Sequence, residues 1–182
     1  MKYYFELAYP MKWELHLELG ELYKSIGSFV SAFELLNEVE LTEEAIKCLV
    51  MAGRHTQALK LAEKQLGETL NLEAPTEKKQ KVKNIRQANL LCLLGDIKRE
   101  GIYYERAWEE SNYKCPRAMR SLGRMHFFEN KFEEAIVCFM KSFEINRLYD
   151  KEWFTCGCAH MRLEQYDKAI FCFGNVVSID DS

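Results

Sequence analysis

Proline and glycine are scarce in this 182-residue chain, at 3 and 9 residues, and alternating β-branched runs are rarer still. Periodic helix is left as the default secondary structure. No stretch of 18 or more apolar residues occurs, so the sequence offers no candidate membrane-spanning helix. Its opening, MKYYFELAYP, lacks the charged-then-apolar order of a secretory signal. An excess of positive charge is missing too: 25 Lys and Arg against 28 Asp and Glu give a net charge of −3. That balance argues against a general polyanion binder, because such affinity rests on neutralising phosphates, and any basic site has to be local. The seven cysteines, Cys48, Cys92, Cys115, Cys138, Cys156, Cys158 and Cys172, are odd in number and scattered. They fit free thiols in a reducing, intracellular compartment better than a disulfide framework.

Catalytic machinery is also missing by spacing. No acid, base or nucleophile is accompanied by a positioning partner, and the segment 20–27, the one Gly-rich candidate for a phosphate loop, has no Lys-Ser after it. No enzyme activity and no cofactor are expected. Cys156-x-Cys158 could suggest a metal pair, but on a helix the two point about 200° apart and no second pair completes a zinc pattern. Cys156 reads as a small core residue, and metal binding is not expected.

What the chain does contain is a period. Laying 116–147 over 150–181 at an offset of 34 pairs Met119 with Trp153, Gly123 with Gly157, His126 with His160, Ala135 with Ala169, Cys138 with Cys172 and Phe139 with Phe173. A Gly followed nine residues later by an aromatic and twelve later by Ala recurs as Gly20, Phe29, Ala32; Gly95, Tyr104, Ala107; Gly123, Phe132, Ala135; and Gly157, Tyr166, Ala169. A weaker fifth copy is Ile46, His55, Ala58. A fixed period of this length marks stacked helix pairs. Close approach of two antiparallel helices requires small residues at the crossing, which assigns Gly and Ala to that contact and the aromatic to the next layer.

These residues resemble the tetratricopeptide repeat family, whose 34-residue pattern opens on a bulky residue, continues with Leu-Gly, and carries small and aromatic residues on its second helix. Trp153, Cys156, Gly157, His160, Ala169 and Phe173 match it, as do Met119, Leu122, Gly123, His126, Ala135 and Phe139. A narrower resemblance, carried by LLCLLGDI, YYERAWEESNYKCPRAMRS and AGRHTQALKLAEKQL, ties most of the chain to one branch of that family. It implies an all-α, right-handed α-solenoid of about five helix pairs, and a cytoplasmic or nuclear role in the assembly of other proteins.

The expected organisation is one solenoid segment over 1–182. Two degenerate pairs occupy 1–67, with helices at 11–25, 29–39, 43–52 and 56–67. A charged joint containing a disordered insertion follows at 68–86, where Thr76 caps a helix at 77–99. A shortened pair spans 87–115 and closes with a helix at 103–113. Two regular repeats fill 116–182, with helices at 116–128, 131–146, 150–163 and 166–179. The histidines His16, His55, His126 and His160 are placed in core slots. Both ends look uncapped: Tyr3, Tyr4 and Phe5 resemble the tail of an earlier helix, and Phe173, Val176 and Val177 would lie on an open end. A fragment of a longer chain, or self-association through open ends, is the expectation.

Two basic features remain. Lys78, Lys79, Lys81, Lys83 and Arg86 form a run without interleaved aromatics, which reads as a solvated helix face rather than an RNA contact. Arg117, Arg120 and Arg124, spaced i, i+3, i+7, form one stripe on a helix. In the family, slots two, five and nine of the first helix face the concave groove, and the three arginines fall there. Lys151, Phe154, Arg162, Arg99 and Phe127 would border the same groove. Guanidinium groups in such a place hold carboxylates bidentately, so an acidic peptide or a terminal carboxylate is the expected ligand. Charge balance against Asp96, Glu100 or Glu110 is the equal alternative. Family members that bind the terminal acidic motif of heat-shock chaperones use a clamp opening on Lys and Asn. Leu17, Glu21, Cys92 and Asp96 occupy clamp slots here, so that clamp is not expected. The functional expectation is a non-enzymatic protein-interaction scaffold, followed by a structural middle segment and, third, an RNA-assembly factor.

Overall fold

The computed structural model describes the backbone of residues 11–71 and 77–180 and the side chains of 11–71 and 80–179. The expected tail of an earlier helix at Tyr3 to Phe5, the Thr76 cap and the side chains of Lys78 and Lys79 lie outside the described residues. Within them the chain is all α, with ten helices in order: α1 (Lys12–Ser25), α2 (Phe29–Glu38), α3 (Thr42–Met51), α4 (His55–Asn71), α5 (Glu77–Lys98), α6 (Gly101–Glu110), α7 (Pro116–Phe128), α8 (Phe132–Ile145), α9 (Asp150–Arg162) and α10 (Tyr166–Asp180). Helix α4 runs one turn past the expected end at 67, so residues 68–71 of the expected joint are helical.

Five of the helix ends have a common cause. Gly27, Glu40, Gly53, Asn130 and Glu164 all take positive φ, between 58° and 78°. At each, the last turn closes by a pair of backbone hydrogen bonds, as where Lys131 donates to the His126 carbonyl and Asn130 to that of Phe127. This left-handed cap satisfies carbonyls that the helix leaves open. Pro116 begins α7, where its missing N–H costs nothing, and Glu133 and Glu134 favour the first turn of α8 through the helix dipole.

The chain divides into two compact units, Met1–Gln65 and Leu66–Ser182. In the first, α1 packs on α2 and α2 on α3, around a core of Ala32, Leu36, Ala45 and Cys48 with Leu17, Tyr23, Phe33 and Leu41 against it. Lys24 on α1 reaches Glu44 on α3 at 3.5 Å. His16 is partly covered and donates from Nδ1 to the Lys12 carbonyl at 2.6 Å. His55, expected in a core slot, is exposed at the start of α4: it is the first residue of a helix whose buried residues, Ala58 and Ala62, begin one turn later.

In the second unit each helix from α5 to α10 packs on the next, and the first helices of successive pairs also touch, α5 with α7 and α7 with α9. Its last core joins Ala135, Phe139, Phe143, Trp153, Cys156 and Cys172. Phe143 and Trp153 stack with ring planes 5° apart, coupling the second helix of one repeat to the first of the next, while Trp153 Nε1 donates to the Arg147 carbonyl at 2.9 Å.

The glycines take a different partner from the expected one. A Cβ on Gly123 would sit 2.9 Å from Phe139 Cε1, and one on Gly157 2.6 Å from Phe173 Cε1. The residue sixteen positions on, not the Ala at twelve, fills the crossing, and at Gly20 it is Leu36 at 3.1 Å. Aromatics at nine serve less uniformly: Tyr104 lies nearest its glycine, at 2.7 Å from the built Cβ of Gly95, whereas Tyr166 is exposed. Phe173, expected on an open end, is instead the ring seated on Gly157.

Replacing Gly157 by Val is therefore expected to lower unfolding free energy by about 2–3 kcal/mol through overpacking. Gly174→Ala, at a helical position with nothing within 4 Å of the new methyl, is expected to raise it by about 0.5–1 kcal/mol. Urea denaturation of both variants checks the pair.

Candidate partner-binding site

Helix α7 turns Ala118, Met119, Leu122 and Gly123 into the core, and the periodicity that buries them leaves Arg117, Arg120 and Arg124 on another stripe. The three arginines are not equivalent. Arg117 Nη2 donates to Asp96 Oδ2 at 2.9 Å, so Asp96 provides the charge balance that the sequence raised as an alternative. Asp96 Oδ1 also accepts from the Tyr104 hydroxyl at 2.8 Å. Burial, and then the Asp96 charge, push the Tyr104 phenol up from its ordinary pKa, so it remains a protonated donor.

Arg120 and Arg124 converge on a carboxylate that sequence reasoning did not select. Glu152, in the first turn of α9, is buried, with its side chain 6% exposed, and its Oε1 lies 3.6 Å from Arg120 Nη1 and 3.5 Å from Arg124 Nη1. The clue in the sequence was an acidic residue in a helix's first turn next to the core Trp153; only the packing of α9 on α7 shows which cations it meets. Arg120 is further held with its guanidinium 3.7 Å from the centre of the Tyr149 ring, a cation–π arrangement. Its Nε is buried with no acceptor among the described residues. Arg124, whose side chain is 50% exposed, also reaches Ser121 Oγ at 3.3 Å.

Two guanidinium groups thus share one carboxylate, leaving one unit of positive charge, and the more exposed member carries it outward. Arg124 lines a cavity of about 540 Å³ with Arg99, Tyr104, Met125 and Phe128, whose acidic members are Asp96 and Glu129. Arg99, the left-handed residue after α5 with φ of 57°, reaches this cavity because the turn from α5 to α6 projects it there.

The remaining candidates lie apart from that cavity's lining. Phe127 packs against the core and contacts the rings of Phe128 and Phe132. Phe154 is exposed on α9 and tilts against Phe173 with centroids 5.6 Å apart. Lys151 and Arg162 are exposed at the two ends of α9. In the separate basic run, Lys81 and Arg86 are exposed, and Lys83 Nζ donates to the Leu70 carbonyl at 3.1 Å.

The sequence profile described as the tetratricopeptide repeat matches residues 117–147 and 153–182, the segments that carry α7 with α8 and α9 with α10. These two segments are tetratricopeptide repeats. It is similar to the tetratricopeptide repeat protein 27 homolog of Dictyostelium discoideum, 34% identical over 157 residues that cover 86% of this chain and 16% of that relative. The chain therefore spans about a sixth of the length of that relative. Among solved structures, MamA superposes with a TM-score of 0.60 at 17% identity over 89% of this chain and 94% of that one. YrrB, described as a tetratricopeptide repeat protein with an unusual peptide-binding site, superposes with a TM-score of 0.56 at 18% identity over 92% and 86%. These likenesses establish the α-solenoid fold of tetratricopeptide type.

Glu152→Gln is expected to lower unfolding free energy by about 2 kcal/mol. That is below the 3–5 kcal/mol of a fully buried broken pair, because Arg124 stays half in water. Asp96→Asn, which breaks a more exposed pair, is expected to cost under about 1 kcal/mol. Chemical denaturation at neutral pH ranks the two.

Proposed function

We propose that this chain is part of a non-enzymatic protein-interaction scaffold acting in complex assembly in the cytoplasm or nucleus. Residues 66–182 would recognise an acidic segment or a chain's terminal carboxylate. The reading is carried by the imbalance at Glu152: one buried carboxylate for two arginines, with the half-exposed one lining a cavity that Arg99 also borders. An incoming carboxylate would complete the count that Glu152 leaves short, and a charge-assisted pair in a partly desolvated site is worth more than one on an open surface. Tyr104, Met125 and Phe128 give the same cavity an apolar wall for the residue next to that carboxylate. Peptide binding, the property stated for YrrB, is compatible with this reading.

Arg120 does a different job in this scheme. Its place between Glu152 and the Tyr149 ring makes it a support for Arg124 rather than a contact for the partner.

A second reading, a structural segment that docks further chain or a second copy, draws support from Ile170, Phe171 and Val177 on α10, each at least 60% exposed.

Fluorescence anisotropy with labelled peptides ending in acidic residues tests the first reading. Joint replacement of Arg99 and Arg124 by Glu is expected to weaken binding at least tenfold, as expected from loss of about 1.5–3 kcal/mol of charge-assisted bonding, with the helical circular dichroism unchanged. Undiminished binding by that folded variant would exclude the cavity as the site.

A further inference from the structure

The core of the last repeat brings together three soft donors that lie far apart in the sequence. Cys156 and His160 are one turn apart on α9, Cys172 faces them from α10, and all three are buried. One ligating atom from each falls within 4.8 Å of the other two, and among the described residues no other cluster of this kind is found. Cys156 and Cys172 are free thiols with Sγ atoms 3.9 Å apart. That separation is close to the edge of a tetrahedron around zinc, about 3.8 Å when Zn–S is about 2.3 Å. It is far longer than a disulfide, about 2.05 Å.

The histidine is already oriented. His160 Nδ1 and Gln165 Oε1 are 2.9 Å apart. With Nδ1–H donating to that oxygen, the other ring nitrogen keeps its lone pair. A metal-bound imidazole is usually held in this way by a hydrogen bond from its second nitrogen. Gln165 lies just past the left-handed Glu164 that ends α9, so the turn between the two helices fixes the ring.

Packing alone does not call for this set. The preceding repeat places His126 and Cys138 in the slots of His160 and Cys172, but Leu122 in the slot of Cys156, and Leu122 is buried there. One residue separates an apolar slot from a three-donor cluster.

We infer that Cys156, His160 and Cys172 form a Cys2His site for a single Zn²⁺ ion that ties α9 to α10, with a fourth, exchangeable position. Two thiolates balance the dication, so the buried assembly carries no net charge. Cysteine and imidazole together select zinc over magnesium or calcium. The two thiols release their protons to solvent as the metal enters. Cys158, the nearer cysteine in sequence, takes no part. The ligand pattern is C-x3-H-x11-C across a helix turn, which a search for C-x2-C pairs passes over.

Cobalt(II) titration of the reduced, metal-free 182-residue protein tests the site, because tetrahedral thiolate coordination gives intense visible bands and a sulfur-to-metal charge-transfer band. One equivalent is expected to develop both, and Zn²⁺ to displace it. Cys156→Leu copies the slot as Leu122 fills it and is expected to fold with unchanged circular dichroism. It should weaken binding more than tenfold, the size that losing even an outer-shell partner produces. Cys172→Ala, on the other helix, is expected to do the same, and Cys158→Ser to leave the bands intact. Absence of tetrahedral bands in the wild-type chain would overturn the inference, as would equal binding by Cys156→Leu or loss of the bands in Cys158→Ser.

Discussion

Glu152 is the one buried carboxylate among the described side chains, and the charge on the surface of α7 follows from it. A carboxylate out of water requires compensation, and α7 supplies it twice over through Arg120 and Arg124. The arrangement does two things at once. It joins the first helices of the two regular repeats across a polar contact beside the stacked Phe143 and Trp153. It also leaves a surplus of positive charge whose accessible share belongs to Arg124. The site's electrostatics are thus a by-product of how α9 is fastened to α7.

The same economy governs the backbone. Within each regular repeat a glycine on the first helix takes a phenyl ring from the second, Phe139 on Gly123 and Phe173 on Gly157. The helices approach so closely that no Cβ is tolerated there. The shortened pair at 87–115 breaks the pattern. Sixteen residues beyond Gly95 stands Ser111, and Tyr104 covers the glycine instead. Since Tyr104 carries a hydroxyl, the substitute ring, itself buried, offers a donor that holds Asp96. Asp96 in turn holds Arg117. A change of residue type at that one position thereby helps to set the acidic border of the cavity.

The helix pairs, their order and most of their limits were legible in the sequence, because a 34-residue period and the Gly-aromatic-Ala spacing are properties of residue type alone. The contact partner of each glycine was not. Spacing along one chain cannot say whether the residue at twelve or at sixteen reaches across the crossing. His55 misled for a related reason, since the weak fifth copy set it by register, whereas the start of α4 leaves its first residues in water. Helix ends at Glu40, Asn130 and Glu164 gave no glycine signal. For the site, the arginine stripe and Asp96 were readable as a periodic face and a nearby acid. Glu152 was not, because its role depends on which helix packs over α7. The division of labour between Arg120 and Arg124 was hidden for the same reason: both are the same residue type on the same stripe, and only Tyr149 and solvent distinguish them.

On the proposed reading Glu152 belongs structurally to Arg120, while Arg124 is the cation left for a partner. A double-mutant cycle measures it directly, comparing the coupling of Glu152 with each arginine in urea unfolding of Gln and Ala variants. A coupling of about 1.5–3 kcal/mol is expected for Arg120 and Glu152, and under about 1 kcal/mol for Arg124 and Glu152 because exposure screens that pair. Equal couplings, or a larger one for Arg124, would contradict it.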